Sequence, residues 1–352
     1  MKIVHTESSL GWGGQEIRVL SESRGLIRRG HEVKLVCPPE ARIYTEAANW
    51  QVPVVAAPIA RKRPLGVKAL YAWLKANPCN LVVTHSSTDA WLAALALLAL
   101  GRPVPMLRLR HISAPVPRNA PTRWLYTRAT ARIVTTGEAL KRQLVERNGF
   151  PAQCIDSVPT GIDTARFRPG ERSAARAALG LPQHRKIVGI VATLRSWKGH
   201  RFLIEALPQG ALLVIVGDGP MRPVLEKLAG PEVRFVGNKS DVVPWLQSFD
   251  VFALPSYANE GGPQALVQAM LVGLPCVTTS VGAIPELARH EDTALVVPAE
   301  DVGALRAALE RLLGDQALRE RLGASARRHA AENFSQERML ERMEEIYRQV
   351  SR

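Results

Sequence analysis

Short apolar runs recur along this chain, each leading through a glycine, proline or polar turn into a longer stretch with helical periodicity. Lys2–Thr6 reads as a strand, Gly11–Gly14 as a turn, and Gln15–Arg29 as a helix with Ile17, Leu20 and Ile27 near one face. Val33–Cys37 reads as the next strand, stopped by Pro38 and Pro39. Leu81–Thr84, Pro105–Leu109 and Arg132–Thr135 follow as buried strands. Strands alternating with helices predict a parallel α/β sheet. The segment Ser157–Gly170 interrupts the rhythm with two prolines and two glycines and reads as a linker. The alternation then restarts, with strands at Ile187–Val191, Leu212–Val216, Val233–Val236, Val251–Leu254, Cys276–Thr279 and Leu295–Val297. A terminal amphipathic helix, Gln336–Gln349, carries Met339, Met343 and Ile346 on one side. The expected architecture is two Rossmann-like, doubly wound parallel-sheet domains facing across a cleft. The domains are residues 1–168 and 169–334, with a helix over 335–352 packing back on the first. In such sheets ligands sit outside the carboxyl ends of the strands.

Composition narrows the class. Of 352 residues, 46% are apolar and 22% charged, which excludes extensive disorder. The longest strongly apolar stretch, Trp91–Leu100, has ten residues, whereas a membrane-crossing helix needs roughly 20. MKIVHTES enters a strand without an apolar signal region, so a cytoplasmic protein is expected, with peripheral contact to the inner membrane face as an option. Cys37, Cys79, Cys154 and Cys276 form no C-x-x-C pair, which argues against a zinc site or a disulfide framework. Residues 1–168 carry 24 Lys/Arg against 11 Asp/Glu, giving +13; the remaining 22 and 21 give +1. That asymmetry suits an anionic partner for the first half: phospholipid, a phosphorylated saccharide or nucleic acid. The alternative is a general richness in arginine, because Arg61-Lys62-Arg63, Arg102, Arg108 and Arg110 are scattered.

Six strand ends carry candidate chemistry. The loop Ala192–His200 places Arg195 and Lys198 where a strand ends and a helix begins. A diphosphate there would meet two cations and free backbone N–H groups; the plainer alternative is a pair of solvated charges. Pro255–Met270 runs from a buried strand through a glycine-rich turn into a helix. Glu260 before that helix could cap it, or could accept hydrogen bonds from sugar hydroxyls. Gln264 and Gln268 share a helix face, and Glu260 and Gln268 would be about 12 Å apart if the segment were helical throughout. Ser280–Glu286 forms another strand-to-helix turn, with Pro285 suited to a first turn and Glu286 able to cap or to line a cleft. In the first half, Gly13 and Gly14 let the backbone approach a ligand, without a G-x-G-x-x-G fingerprint. His85 and His111 each follow a strand, a position that aims a side chain at a ligand, although a lone histidine is more often packed or on the surface.

These residues resemble glycosyltransferase family 4, of the GT-B fold and the bacterial surface-polysaccharide or lipopolysaccharide type, over almost the full length. The matching motifs are Gly13-Gly14-x-Glu16, Arg29-Gly30-His31-Glu32-Val33, Pro159-Thr160-Gly161-Ile162-Asp163 with Phe167, and Lys198-Gly199. Val216-Gly217-Asp218-Gly219-Pro220, Phe235-Val236-Gly237, and Pro255-Ser256 leading to Glu260-Gly261 complete the set. The resemblance implies a retaining transfer from an NDP-sugar, UDP- or GDP-linked, without metal or other cofactor, to a saccharide or lipid-linked anionic acceptor. It implies that Lys198 neutralises the diphosphate, Glu260 binds the donor sugar, and His111 contacts sugar or acceptor. Arg195, Gly13, Gly14, Gly262, Gln264 and Ala265 are the further diphosphate candidates. Gln268 would meet the ribose, and Val236, Gly237 and Asn238 would lie beside the base. His85 and Glu286 remain possible ligand-facing residues.

Three positions depart from the family pattern. Thr193 stands where an arginine is usual, with Arg195 two residues on. Gln268 replaces a carboxylate, and Pro263 replaces a glycine and removes an N–H. Rival readings are a nucleotide-sugar epimerase on the same fold, or a non-catalytic saccharide- or nucleic-acid-binding protein. No zinc-finger spacing or single-strand stacking motif supports specific nucleic-acid binding.

Overall fold

The computed structural model describes residues 1–101, 104–112 and 114–351, so Arg102 lies outside the described residues. The chain separates into two compact units, Met1–Gly161 with Gln336–Arg352, and Ile162–Ser335. The division falls inside the proline- and glycine-rich segment, at Gly161 and earlier than residue 168.

The first unit holds β1 (Lys2–Thr6), β2 (Glu32–Cys37), β3 (Val54–Ala56), β4 (Leu81–Thr84), β5 (Met106–Arg110), β6 (Arg132–Thr135) and β7 (Ile155–Ser157). Their order is β3-β2-β1-β4-β5-β6-β7, and every pairing is parallel. The second unit holds β8 (Ile187–Val191), β9 (Leu212–Val216), β10 (Val233–Gly237), β11 (Val251–Leu254), β12 (Cys276–Thr279) and β13 (Leu295–Val297). Their order is β10-β9-β8-β11-β12-β13, again all parallel. Both are doubly wound sheets. The strand order reverses between β1 and β4 in one, and between β8 and β11 in the other. At those reversals consecutive helices leave on opposite faces, and a crevice opens outside the strand ends.

β3 and β7 escape the sequence pattern. Each is a three-residue outer strand, and Ile155-Asp156-Ser157 is mostly polar because only one neighbour covers it. Among the described residues no helix is long and apolar enough to cross a membrane; Trp91–Leu100 forms most of the helix Ser87–Ala99 and its end. That helix starts on a capping box between Ser86 and Asp89. All four cysteines are free thiols, with Cys37 and Cys276 buried. Burial pushes the Cys37 thiol up to about 12, so it stays protonated and inert.

One face of the first sheet, with Ile3, Val83, Leu107 and Leu109, is covered by Met339, Leu340, Met343 and Ile346 of the terminal helix Gln336–Val350. The first helix, Gly14–Arg28, differs from its apolar reading. Ile17 and Ile27 are only half-buried, whereas Arg18, Glu22 and Ser23 are fully buried with Val19 and Leu20. Arg18 donates to Val158 O at 2.9 Å and Thr160 Oγ1 at 3.0 Å, and lies 3.4 Å from Glu22. Tyr347 of the terminal helix donates to Glu22 Oε1 at 2.5 Å. A buried polar knot therefore ties the first helix, the segment after β7 and the terminal helix together. Periodicity alone reads such a knot as an exposed stripe.

Candidate functional site

In the second unit the reversal between β8 and β11 brings two distant loops together. The loop after β8 ends in a short turn at Ser196–Lys198, and the loop after β11 runs from Pro255 to Pro263. Lys198 Nζ lies 2.7 Å from Glu260 Oε1, and Ser256 Oγ donates to the same oxygen at 2.5 Å. The Glu260 side chain is only 3% exposed and that of Lys198 20%, so this is a largely desolvated pair. Backbone bonds brace the loops. Tyr257 N donates to Trp197 O at 2.9 Å, and Ala283 N to Glu260 O at 3.0 Å.

Two glycines make that closeness possible. Gly199 has φ +75°, and a Cβ there would sit 1.9 Å from Pro255 O. Gly282 has φ +60°, and a Cβ there would sit 2.1 Å from Glu260 O. Neither place admits a side chain, which accounts for the glycine that follows Lys198 and the one in the Ser280–Glu286 turn. The Gly219 of the Gly217–Pro220 motif has a simpler reason: a Cβ would sit 2.7 Å from Leu194 O, so its backbone buttresses the Arg195 loop.

Two expectations for Glu260 need correction. It does not cap the following helix, which begins at Gln264 with Pro263 as its N-cap and no side-chain cap bond. The span from Glu260 to Gln268 is also not helical throughout, so a helical rise applies only from Gln264 onward. Gln264 and Gln268 do occupy successive turns of one helix and are half-buried, as is Ala265. Gly262 sits before them with φ +118°. Arg195 is exposed and lies over the Trp197 ring at 5.8 Å. Val236 and Gly237 end β10, whose register shifts there, and Asn238 is exposed beyond it. Glu286 lies in the four-residue helix Ile284–Leu287, whose N-cap is Ala283.

In the first unit the strand ends hold a cavity of about 490 Å³ lined by His85, His111, Lys62, Arg108 and Arg110, with Trp91, Tyr126 and Ser87 among its other walls. Its described lining includes no Asp or Glu. Arg108 is 3% exposed; its guanidinium lies 4.5 Å over the Tyr126 ring, and its Nε and Nη1 are buried without a hydrogen-bond partner. Lys62 bonds Ser87 Oγ at 3.3 Å; burial, then the charge of Arg108, lowers its pKa. Arg108 and Arg110 are therefore not scattered charges. They are strand residues turned into a cavity whose described lining carries no carboxylate.

His85 and His111 meet a third histidine, His5, that sequence reasoning passed over inside the apolar-looking strand KIVHT. His5 Nδ1 lies 2.8 Å from His85 Nε2, and His85 Nδ1 lies 3.0 Å from His111 Nε2. Glu7, directly after β1, was also missed. It is fully buried and accepts from Ser9 N at 2.8 Å and Gln15 Nε2 at 2.6 Å. Burial, then Asp89 and Glu16, raises its pKa well above the usual carboxylate value. Gly13 is the extended N-cap of the first helix, and a Cβ there would meet only Glu16 at 3.8 Å, so packing does not demand that glycine. Gly14 opens the helix itself.

Two doubly wound units, each with charged or ionisable residues gathered at a strand-order reversal, make up the architecture of the GT-B fold. The fold is shared with a glycosyltransferase from Rickettsia africae, TM-score 0.88 at 19% identity over 99% of this chain and 98% of that one. It is shared equally with Anabaena Alr3699/HepE, solved in complex with UDP-glucose, TM-score 0.88 at 21% identity over 99% and 100%. Residues 12–166 match the model of Glycosyltransferase Family 4, and residues 185–315 that of Glycosyl transferases group 1. Glycosyltransferase family models thus match both parts of the chain, that of family 4 over the first. The chain is 33% identical over 279 residues to a D-inositol 3-phosphate glycosyltransferase of Nocardia farcinica, a match that takes in 74% of this chain and 59% of that relative's length.

Proposed function

We propose that this chain moves a sugar from a UDP- or GDP-linked donor to a phosphate-bearing saccharide or polyol, with retention of configuration and with no metal or other cofactor. The observation that carries the donor half is the meeting of Lys198 and Glu260 at the strand-order reversal of the second unit. Lys198, with Arg195 beside it, meets the diphosphate, helped by amides of Gly262, Gln264 and Ala265 at the helix start, and the Gly13-Gly14 turn of the first unit is a further phosphate candidate. Glu260 takes hydrogen bonds from the donor sugar, Gln268 from the ribose, and Val236–Asn238 lie by the base. Glu286 and His85 are further ligand-facing candidates, each in its own unit, and His111 contacts the sugar or acceptor. The bond from the anomeric carbon to the β-phosphate oxygen breaks as the acceptor oxygen bonds that carbon on the same face. The acceptor proton passes to a β-phosphate oxygen. Charge grows on the leaving diphosphate, where preorganised cations lower the barrier.

The cavity of the first unit supports the anionic acceptor: three cations, a buried guanidinium with two unmade bonds, and no acid among the described lining residues. The relative from Nocardia farcinica is named for an inositol phosphate, which agrees in chemistry. A phosphorylated polyol and a phosphorylated lipopolysaccharide core share that chemistry, and the assay separates them. UDP or GDP is expected to raise the melting temperature. Transfer is expected to an inositol phosphate or to a phosphorylated core oligosaccharide, but not to inositol, and EDTA should leave the rate unchanged. Equal transfer to inositol would sink the phosphate reading. Conversion of the donor sugar without acceptor would establish the epimerase instead. Surface-polysaccharide synthesis would also bring the basic half against anionic lipid, where Arg61, Arg63 and Leu65 are exposed. Co-sedimentation with anionic but not neutral vesicles is then expected, and equal binding to both would refute it.

A further inference from the structure

The three histidines lie on one diagonal of the first sheet. His5 pairs in register with Val83, and Val83 with Leu107. His85 is two residues beyond Val83 and His111 four beyond Leu107, so all three share one face at rising height. The resulting N···N contacts, 2.8 and 3.0 Å, join three adjacent strands in one unbroken chain that ends at the cavity.

We propose that His5 and His85 are positioning residues that hold the proton of His111 on Nδ1, making His111 a hydrogen-bond donor to a ligand oxygen. A neutral imidazole has one donor and one acceptor nitrogen. Burial lowers the pKa of His5, and of His85 and His111 well below 6.5, so all three are neutral near pH 7. The charged groups around them are Arg18, which acts against protonation of His85 and His111, Arg110, which does so at His111, and Glu22, which favours it at His5. Glu22 is itself occupied by Arg18 and Tyr347.

Each N···N contact needs one N–H and one lone pair, so the chain has two registers. In one, every ring carries its proton on Nδ1, and His111 offers an N–H outward. In the other, every ring carries it on Nε2, and His5 is left with an N–H. His5 Nε2 is buried and has no hydrogen-bond partner. A buried donor without an acceptor is rarer and costlier than an under-used acceptor. The far end of the chain, remote from any ligand, therefore decides the tautomer at the near end. His111 would then suit an oxygen with lone pairs, such as a sugar hydroxyl or phosphate, and would not serve as a base.

The use of that donor in sugar transfer rests on the proposed function; the tautomer does not. Ring nitrogen spectra of the histidine-labelled, unmodified protein read it directly, and couplings across N–H···N bonds pick out the three rings. The expected result is protonated Nδ1 on His5, His85 and His111. An Nε2 proton on His111, or no coupling between the rings, overturns the proposal. In His5→Asn the chain loses its determining end, so His111 is expected to show both tautomers; an unchanged His111 signal also overturns it. With an active donor–acceptor pair, the same variant should lower kcat several-fold with little change in donor KM.

Discussion

Replacing Lys198 with alanine is expected to lower the transfer rate by about 10²–10³-fold, the usual cost of removing one preorganised group from a developing oxyanion. The loss should fall on kcat more than on donor KM, because the charge that Lys198 is proposed to meet grows as the sugar leaves. Structure adds a second consequence. Lys198 is the cation on Glu260, whose side chain is 3% exposed, so the alanine variant strands a buried carboxylate with the Ser256 hydroxyl still donating to it. Breaking a buried pair costs more than forming it contributed. The fold should therefore survive with a lower melting temperature, and Lys198→Ala/Glu260→Gln should recover that temperature without recovering activity. Turnover like the unmodified enzyme's in Lys198→Ala would remove Lys198 from the mechanism. A melting temperature that does not recover in the double variant would show that the ion pair is not the reason for the loss.

Arg18→Ala is expected to destabilise the first unit by about 3–5 kcal/mol, the range for leaving one member of a buried ion pair alone. Arg18 and Glu22 are both 0% exposed, and the guanidinium also serves Val158 O and Thr160 Oγ1. Without it, Glu22 keeps only Tyr347 as a hydrogen-bond partner among those described, and the terminal helix loses part of its anchor. Urea unfolding measures the change. Amide exchange in Gln336–Val350 should also quicken, since that helix closes over the knot. Arg18→Met/Glu22→Gln, which removes both charges, should recover most of the loss. A single variant within about 0.5 kcal/mol of the parent, the scale of a surface change, would show that the pair contributes little.

Much of the second unit's candidate site was legible beforehand, for a local reason. A short apolar run followed by glycine and a helix start is recognisable within about ten residues, and parallel sheets bind at strand ends. Lys198 and Glu260 could thus be named singly. The first unit's cavity was legible only in outline. Charge counting found an excess of cations in the first half but could not separate Arg108 and Arg110 from Arg61 and Arg63. The first two are turned by strand register into a cavity; the last two are exposed. His5 was hidden because a buried polar residue in a strand looks like part of the strand. Arg18 and Glu22 were hidden because i, i+4 opposite charges usually mark a solvated helix face.

What the sequence by itself determined is the kind of most segments: which stretches, β3 and β7 aside, are strands, where they stop, and which reactive side chains, Glu7 aside, stand at their ends. Those depend on turn chemistry and periodicity among near neighbours. Only the tertiary structure decided which ends meet. Lys198 and Glu260 are 62 residues apart and touch because β8 lies beside β11. The three histidines connect because parallel register sets them on one face at successive heights. Strand order and register are settled by burial of the whole sheet, a non-local energy that no short window of sequence contains.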